Sequence, residues 1–410
     1  MRFRFAPDKI GDIILSQMNP LMLHEFHHRL GARFAELNGA EMVNDYGDWL
    51  AEYAALRQSA GVLDLSFRSR ICLTGADRVR FLHGQVTNDV KRLRVGEGCY
   101  AAITTNKGKM ESDLNIFCLA DELLLDFEPG LTRKISQRLE KFIVADEVQV
   151  VDVAADYGLL SVQGPKAEEV VSMIGLIGRD ALPRVQADQQ VGPTILKISD
   201  ATLGEIYLVN HPRLASFPLP AKRGEGENML SGFELFIPHS SLGAVADKLI
   251  AAAKSLNAPL AAPKRSVGGC GWQAFDTARI EAGIPRFGAD MDETNLPLEC
   301  GIENSAISYK KGCYIGQEVI NRIHSFGHVA KELRGLRLTD DLESLPQRRD
   351  KLFYQGKEVG YITSAVKSPD YGNIALGYVR RQANQIGTEL ILKTAAGERT
   401  VKIVSLPFVS

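Results

Sequence analysis

The sequence predicts an α+β protein that closes with a small antiparallel β-barrel. Two observations carry this. Up to about residue 330, short apolar runs that alternate like strands are interspersed with segments of helical periodicity. After Leu333 the chain changes character: 336–338, 351–354, 358–364, 374–378, 389–393 and 400–404 read as short strands at regular spacing with turn residues between them, the pattern of a barrel. A length of 410 residues with 45% apolar side chains is enough for two to three domains with ordinary cores.

In chain order, Leu21, Leu23, Phe26, Leu30 and Phe34 recur at helical spacing and predict an amphipathic helix from Pro20 to Leu37, ending near Asn38-Gly39. Inside it, His24-Glu25-Phe26-His27-His28 is a formal match to HExxH, a spacing that in zinc peptidases sets two imidazoles on one helical face. No third ligand is evident downstream, so no metal is expected. A helix over 49–59, strands over 61–66 and 71–75, and a helix over 76–85 follow. Strands over 100–105 and 111–119 joined by Asn106-Lys107-Gly108-Lys109 read as a hairpin.

On the second hairpin strand Leu114, Ile116 and Cys118 share one face, and Asp113, Asn115 and Phe117 the other, which either lines a polar pocket or faces water. A strand over 123–127, a helix over 131–142, a strand over 159–163 and a helix over 166–174 come next. The Pro-, Gly- and charge-rich stretch 211–230 predicts a long loop, leading into a strand over 232–238 where Glu234 shares a face with Phe236. An acid beside a ring suits a flat heterocycle, which stacks on the aromatic and donates hydrogen bonds to the carboxylate; an exposed strand face has the same pattern. A helix over 242–256 and a linker over 258–263 complete this part.

Composition narrows the function. The formal net charge is -2, with 48 basic and 50 acidic residues interspersed, so no basic stripe tracks a phosphate backbone and nucleic acid is not expected as the main ligand. Cys72, Cys99, Cys118, Cys270, Cys300 and Cys313 are widely spaced with no CxxC pair, which favours a reducing compartment. The first apolar run is broken by Asp8, Lys9 and Asp12 and makes a poor signal peptide; no run reaches the ~18 apolar residues of a membrane span. A cytoplasmic protein without membrane contact is expected. GxGxxG, P-loop and GxSxG motifs are absent.

One thiol stands out. In Lys310-Lys311-Gly312-Cys313-Tyr314-Ile315-Gly316-Gln317-Glu318, Cys313 follows two lysines and precedes a predicted helix, and cations and a helix N-terminus both stabilise a thiolate. The same residues also compose an ordinary surface turn. His324 and His328 are the nearest histidines in sequence.

Lys311-Gly312-Cys313-Tyr314-Ile315-Gly316-Gln317-Glu318 resembles the signature of the YgfZ-type folate-binding proteins, whose mitochondrial relatives act in iron-sulfur cluster maturation. From about Leu23 to the C-terminus the chain is similar to the wider superfamily that includes the glycine cleavage T-protein, an aminomethyltransferase. Its landmarks include Gly61-Val62-Leu63-Asp64-Leu65-Ser66, Thr87-Asn88-Asp89, Gln163-Gly164-Pro165, Gly232-Phe233-Glu234-Leu235 and Arg279-Ile280-Glu281-Ala282-Gly283.

The resemblance implies a three-domain clover leaf around a central channel. The first two domains would be interleaved within residues 18–330, and the barrel would occupy 331–410. It implies tetrahydrofolate, or another folate derivative, as the cofactor. Asp113 would be the acid by the reactive nitrogens, with Tyr100, Asp113 and Glu234 forming the folate site.

Three departures separate the chain from a standard T-protein. The tyrosine loop before the Phe-Glu strand is replaced by Gly226-Glu227-Asn228-Met229-Leu230. The family's functional arginine becomes Phe275, and Ser112 replaces the first acid of an Asp-Asp pair. The leading expectation is therefore a tetrahydrofolate-binding protein that maintains or repairs iron-sulfur client proteins, with Cys313 as a redox or transfer thiol whose pKa is lowered by Lys310 or Lys311. The alternative is a folate-dependent aminomethyltransferase, one-carbon transferase or demethylase, with Asp113 essential. A scaffold that binds no folate is the third possibility.

Overall fold

A computed structural model describes residues 19–183, 192–214, 231–258 and 268–408. Strands β1 (Arg33–Leu37) and β2 (Ala40–Asp45) form an antiparallel hairpin after a helix of only six residues, His24–Arg29. This corrects the single long helix expected over Pro20 to Leu37. Gly31 has φ +81 and breaks the helical run, and Asn38 (φ 52) and Gly39 (φ 83) supply two positive-φ residues in sequence, the requirement of a type I′ hairpin turn. The spacing of Leu30 and Phe34 fits a helix by coincidence; the turn chemistry decides.

β3 (Gly61–Asp64) leads into a sheet made by β4 (Ser69–Thr74), β5 (Gly98–Thr104), β6 (Met110–Cys118), β7 (Leu123–Phe127) and β8 (Gln149–Asp152), in the order β5-β6-β7-β4-β8. The chain then returns to the sheet of β3 with β9 (Tyr157–Gly164), β10 (Thr194–Asp200), β11 (Gly204–Asn210) and β12 (Ser231–Pro238), in the order β10-β11-β12-β9-β3. One lobe is thus inserted between two strands of another, the interleaving that the resemblance implies. Strands β8, β10 and β11 were not anticipated. β8 and β10 lie at sheet edges, where one side stays in water and the apolar alternation is diluted: β10 reads Thr-Ile-Leu-Lys-Ile-Ser-Asp and is mostly half-buried or exposed. Residues 215–230 of the expected long loop and 259–263 of the expected linker lie outside the described residues.

The third lobe is a closed barrel of β13 (Lys331–Arg337), β14 (Lys351–Tyr354), β15 (Lys357–Ser368), β16 (Gly372–Arg380), β17 (Glu389–Thr394) and β18 (Gly397–Val404). Its interior is Leu336, Leu352, Val359, Ile362, Val379, Leu392 and Ile403, all under 1% exposed, so the barrel is filled by its own side chains. The helix Trp272–Glu281 joins the lobes. Trp272, Ala274, Phe275 and Ala278 enter a core shared with Phe117 and Phe236, while Arg279 forms ion pairs with Asp276 and Asp290 and donates to Ser364 of β15. Among the described residues no helix is long and apolar enough to cross a membrane.

Candidate functional site

The strand face that carries Asp113 is buried to half-buried and does not lie open to water. Leu114, Ile116 and Cys118 enter the core of their own lobe. On the other face Tyr100 donates its hydroxyl to Asp113 at 2.7 Å and Asn115 donates to Asp126 at 3.2 Å, both within the same sheet, and Phe117 meets Phe236 of the neighbouring lobe edge-on at 5.7 Å. The register explains the first contact. Asp113 lies opposite Ala102, which puts Tyr100 on the diagonal, within reach of a long aromatic side chain. Burial, and then the charge of Glu128, push the Asp113 carboxyl up to about 6, against the opposing Tyr100 hydrogen bond and Arg68. A group titrating there both holds and releases a proton near neutral pH.

Glu234 has the opposite environment. It is fully buried on β12. Arg213 donates through Nε to one carboxylate oxygen, and His211 Nδ1 lies 3.0 Å from the other. Burial alone would raise its pKa, but Arg213 and His211 outweigh that and hold Glu234 below the usual carboxylate value. The stacking partner proposed from sequence, Phe236, is buried in the core against Phe117.

A chain of ion pairs extends from Glu234. Arg213 also reaches Asp126 at 3.0 Å; Arg68 bonds Asp126 and Glu128, both at 2.8 Å; Arg286 bonds Glu128 at 2.7 Å and lies 5.3 Å from the Trp272 ring centre. The guanidiniums hold Asp126 well below the ordinary carboxylate range despite its burial. Gln163 positions the segment carrying Arg213, accepting from the Arg213 amide at 3.0 Å and donating to the His211 carbonyl at 3.1 Å. Arg68, Asp126, Glu128, Arg213 and Arg286 were not singled out from sequence. A signal existed: Asp126 and Glu128 interrupt the apolar run Leu123-Leu124-Leu125, and an acid inside such a strand requires a partner.

The departures from the T-protein pattern also have places. Phe275 packs 5.4 Å from Trp272 as a core side chain, and the Ser112 hydroxyl donates to the main-chain oxygen of Asp113. Both positions are apolar or locally satisfied, so neither supplies a charge to the site.

Cys313 is exposed, whereas Cys72, Cys99, Cys118, Cys270 and Cys300 are buried. Of the two cations expected beside it, Lys310 is exposed and Lys311 is used elsewhere. Lys311 is buried, and its ammonium donates to the carbonyls of His83, Val86 and Asn88 at 2.5, 2.6 and 2.8 Å, capping the end of the helix Arg78–Gln85. Burial lowers Lys311 to about 8. Gly316, at φ +89, makes the sharp entry to the helix Gln317–Phe326; a Cβ there would sit 2.5 Å from the Thr105 carbonyl. The sequence neighbours of the thiol therefore build a loop anchor. No described contact joins Cys313 to Asp113 or Glu234.

In the HExxH match His24 lies 2.8 Å from Glu41, while His28, the second histidine of the motif, is exposed and stacks beside His24 with ring centres 6.2 Å apart; the intervening His27 lies 2.9 Å from Asp64 and 2.8 Å from the Tyr46 hydroxyl. Glu25 is exposed. Among the described residues no three His, Cys, Asp or Glu side chains gather as metal ligands.

A cavity of about 440 Å³ opens where the lobes meet, lined by Asn38, Pro129, Leu131, Phe287, Asp292 and Arg349, among others.

Residues 23–189 match the GCVT N-terminal domain family, and residues 331–410 match the glycine cleavage T-protein C-terminal barrel domain family. The chain is 25% identical over 390 residues to an aminomethyltransferase of Shouchella clausii, covering 94% of this chain and 96% of that protein. It is 27% identical over 393 residues to one of Symbiobacterium thermophilum, with the same coverage. The crystal structure of the glycine cleavage system aminomethyltransferase T from Bartonella henselae shares the fold, with a TM-score of 0.77 at 23% identity over 96% of this chain and 98% of that one. Matched over residues 23–189 and 331–410 by the two domain families of the glycine cleavage T-protein, the chain belongs to the glycine cleavage T-protein superfamily.

Proposed function

We propose that the chain binds tetrahydrofolate and carries out a folate-dependent one-carbon transfer, of the aminomethyltransferase type or a related demethylation. The observation that supports this best is the Tyr100–Asp113 pair: a half-buried carboxyl pushed up to about 6, one oxygen fixed by a phenol, on the strand face whose Phe117 packs against Phe236 of the neighbouring lobe. Tetrahydrofolate supplies the nitrogens that carry the one-carbon unit. The protein supplies Asp113, which stabilises positive charge on an amine beside it when ionised and returns a proton when neutral. Tyr100 is the positioning residue, since its hydrogen bond favours the ionised form and sets the direction of the carboxyl. Phe117 and Phe236 close the neighbouring wall against water.

The residues present fit a folate in part. Asp113 and Tyr100 are accessible enough to meet a ligand, whereas Glu234 is sealed by Arg213 and His211 and meets a pterin edge only after one of them moves. In this reading residues 18–330 form the folate-binding region and 331–410 the barrel that closes it.

A second reading has one observation in its favour. Cys313, within a sequence that resembles the YgfZ signature, is the exposed member of the six cysteines, as a redox or transfer thiol acting on an iron-sulfur client requires. Incubation with tetrahydrofolate and candidate methylamines, with detection of methylenetetrahydrofolate, separates the two. Steady turnover abolished by Asp113→Asn supports transfer. Absence of turnover, with rescue of an iron-sulfur enzyme defect that depends on Cys313, favours maintenance. Failure to bind folinic acid at all removes both readings and leaves a scaffold.

A further inference from the structure

Glu234 is 0% exposed, so no ligand touches its carboxylate in the arrangement described. Its occupants are specific. The Arg213 guanidinium donates to one oxygen and, through a second nitrogen, to Asp126 across the lobe boundary; His211 takes the other oxygen. Arg213 keeps 11% of its side chain exposed and sits on the segment following β11, held by Gln163 through the main chain rather than through the guanidinium. The guanidinium is thus free to leave without unmaking a strand.

Arg213 Nε and His211 Nδ1 between them occupy the two oxygens of Glu234, the positions that the flat pair of N–H donors on the amino-amide edge of a pterin would take. We infer that Arg213 is the internal occupant of the pterin site: it holds Glu234 in the ligand-free chain and is exchanged for the pterin edge on binding. This rests on the proposal that Glu234 receives a folate. No covalent bond is made or broken; the pterin edge replaces the Arg213 Nε donor on one Glu234 oxygen and the His211 contact on the other, and Arg213 retains Asp126 as its partner. The exchange also releases a link between the two lobes, since Asp126 lies on β7 and Glu234 on β12. A ligand competing with an internal group binds more weakly by the fraction of molecules in the open state.

The test is titration of the intact chain, Arg213→Lys and Arg213→Ala with folinic acid, with folding checked by circular dichroism. Arg213→Lys, which keeps the charge but loses the paired donors, is expected to bind a few-fold more tightly, and Arg213→Ala roughly tenfold more tightly. A few millimolar guanidinium, far below denaturing concentrations, is expected to compete with folinic acid in Arg213→Ala and not in the unmodified chain.

Folded variants that bind no more tightly than the unmodified chain overturn the exchange, and the folate reading survives if Glu234→Ala then abolishes binding. Tightening without guanidinium competition also overturns it. If Arg213→Ala does not fold, Arg213→Lys decides by the same criterion. If neither the unmodified chain nor Arg213→Lys binds folinic acid, the folate reading itself fails and the exchange falls with it.

Discussion

The junction around Glu234 and the loop around Cys313 each bury a cation, and they use it differently. At the junction Arg213, Arg68 and Arg286 pair with the side chains of Glu234, Asp126 and Glu128, so the charges compensate one another across two lobes and leave Asp113 close by without a full counterion. In the loop Lys311 pairs with three main-chain carbonyls, and the exposed thiol two residues later has no described partner. A buried cation paired with side chains leaves a neighbouring group poised for proton transfer; one paired with backbone serves the fold. The comparison can be sharpened by removing one member at a time.

The largest effect is expected for Asp113→Asn. One-carbon transfer should fall by roughly 10²–10⁴-fold with folate binding retained, as befits loss of an acid-base group. Stability should move the other way. The folded chain holds the Asp113 proton more tightly than the unfolded one, so this group's contribution is fully present below about pH 3.8 and is lost as pH rises through about 6. Above pH 6 the Asn variant should therefore be more stable by something on the order of 1–3 kcal/mol, and the gap should close near pH 4; urea melts across that range measure it.

Glu234→Ala leaves Arg213 half paired in a buried site and should cost about 3–5 kcal/mol at neutral pH, read from the same melts, besides abolishing folate binding. Because the folded pKa of Glu234 is depressed, its contribution is present above the usual carboxylate pKa and lost as pH falls, so the variant should show a shallower loss of stability in acid. Equal acid sensitivity in variant and parent would break the contrast between the two acids.

Lys311→Met removes the donor for three carbonyls. It should lower stability by about 1–3 kcal/mol while leaving folinic acid affinity within a few-fold, if the loop is an anchor and not part of the site. The smallest effect belongs to Cys313→Ser. An exposed thiol without described contacts should change stability by less than about 0.5 kcal/mol, so any loss of iron-sulfur rescue in that variant reports chemistry and not folding.

Much of the fold could be read directly. Five of the six barrel strands fall where apolar alternation and turn residues put them, the first begins at Lys331 rather than at Leu336, and the hairpin of β5 and β6 follows from Asn106-Lys107-Gly108-Lys109. The first hairpin could not be read from periodicity, because Leu30 and Phe34 satisfy helical spacing; the Asn38-Gly39 turn was the better indicator. The site was half legible. Asp113 and Glu234 were marked as acids on strand faces beside rings, but the side chains that set their charge lie far along the chain: Arg213 meets Asp126 from 87 residues away and Glu234 from 21.

By itself the sequence determined which way the side chains point on the strands that carry the two acids, since a period of two residues is a local property. It thereby placed Asp113 on the face of Asn115 and Phe117 and Glu234 on the face of Phe236. Only the tertiary structure decided that the first acid titrates near 6 while the second stays ionised behind an arginine, and that Lys311 serves carbonyls instead of a thiol. Protonation depends on the dielectric and on the nearest charges, and both are set by the packing of lobes that the order of residues leaves unstated.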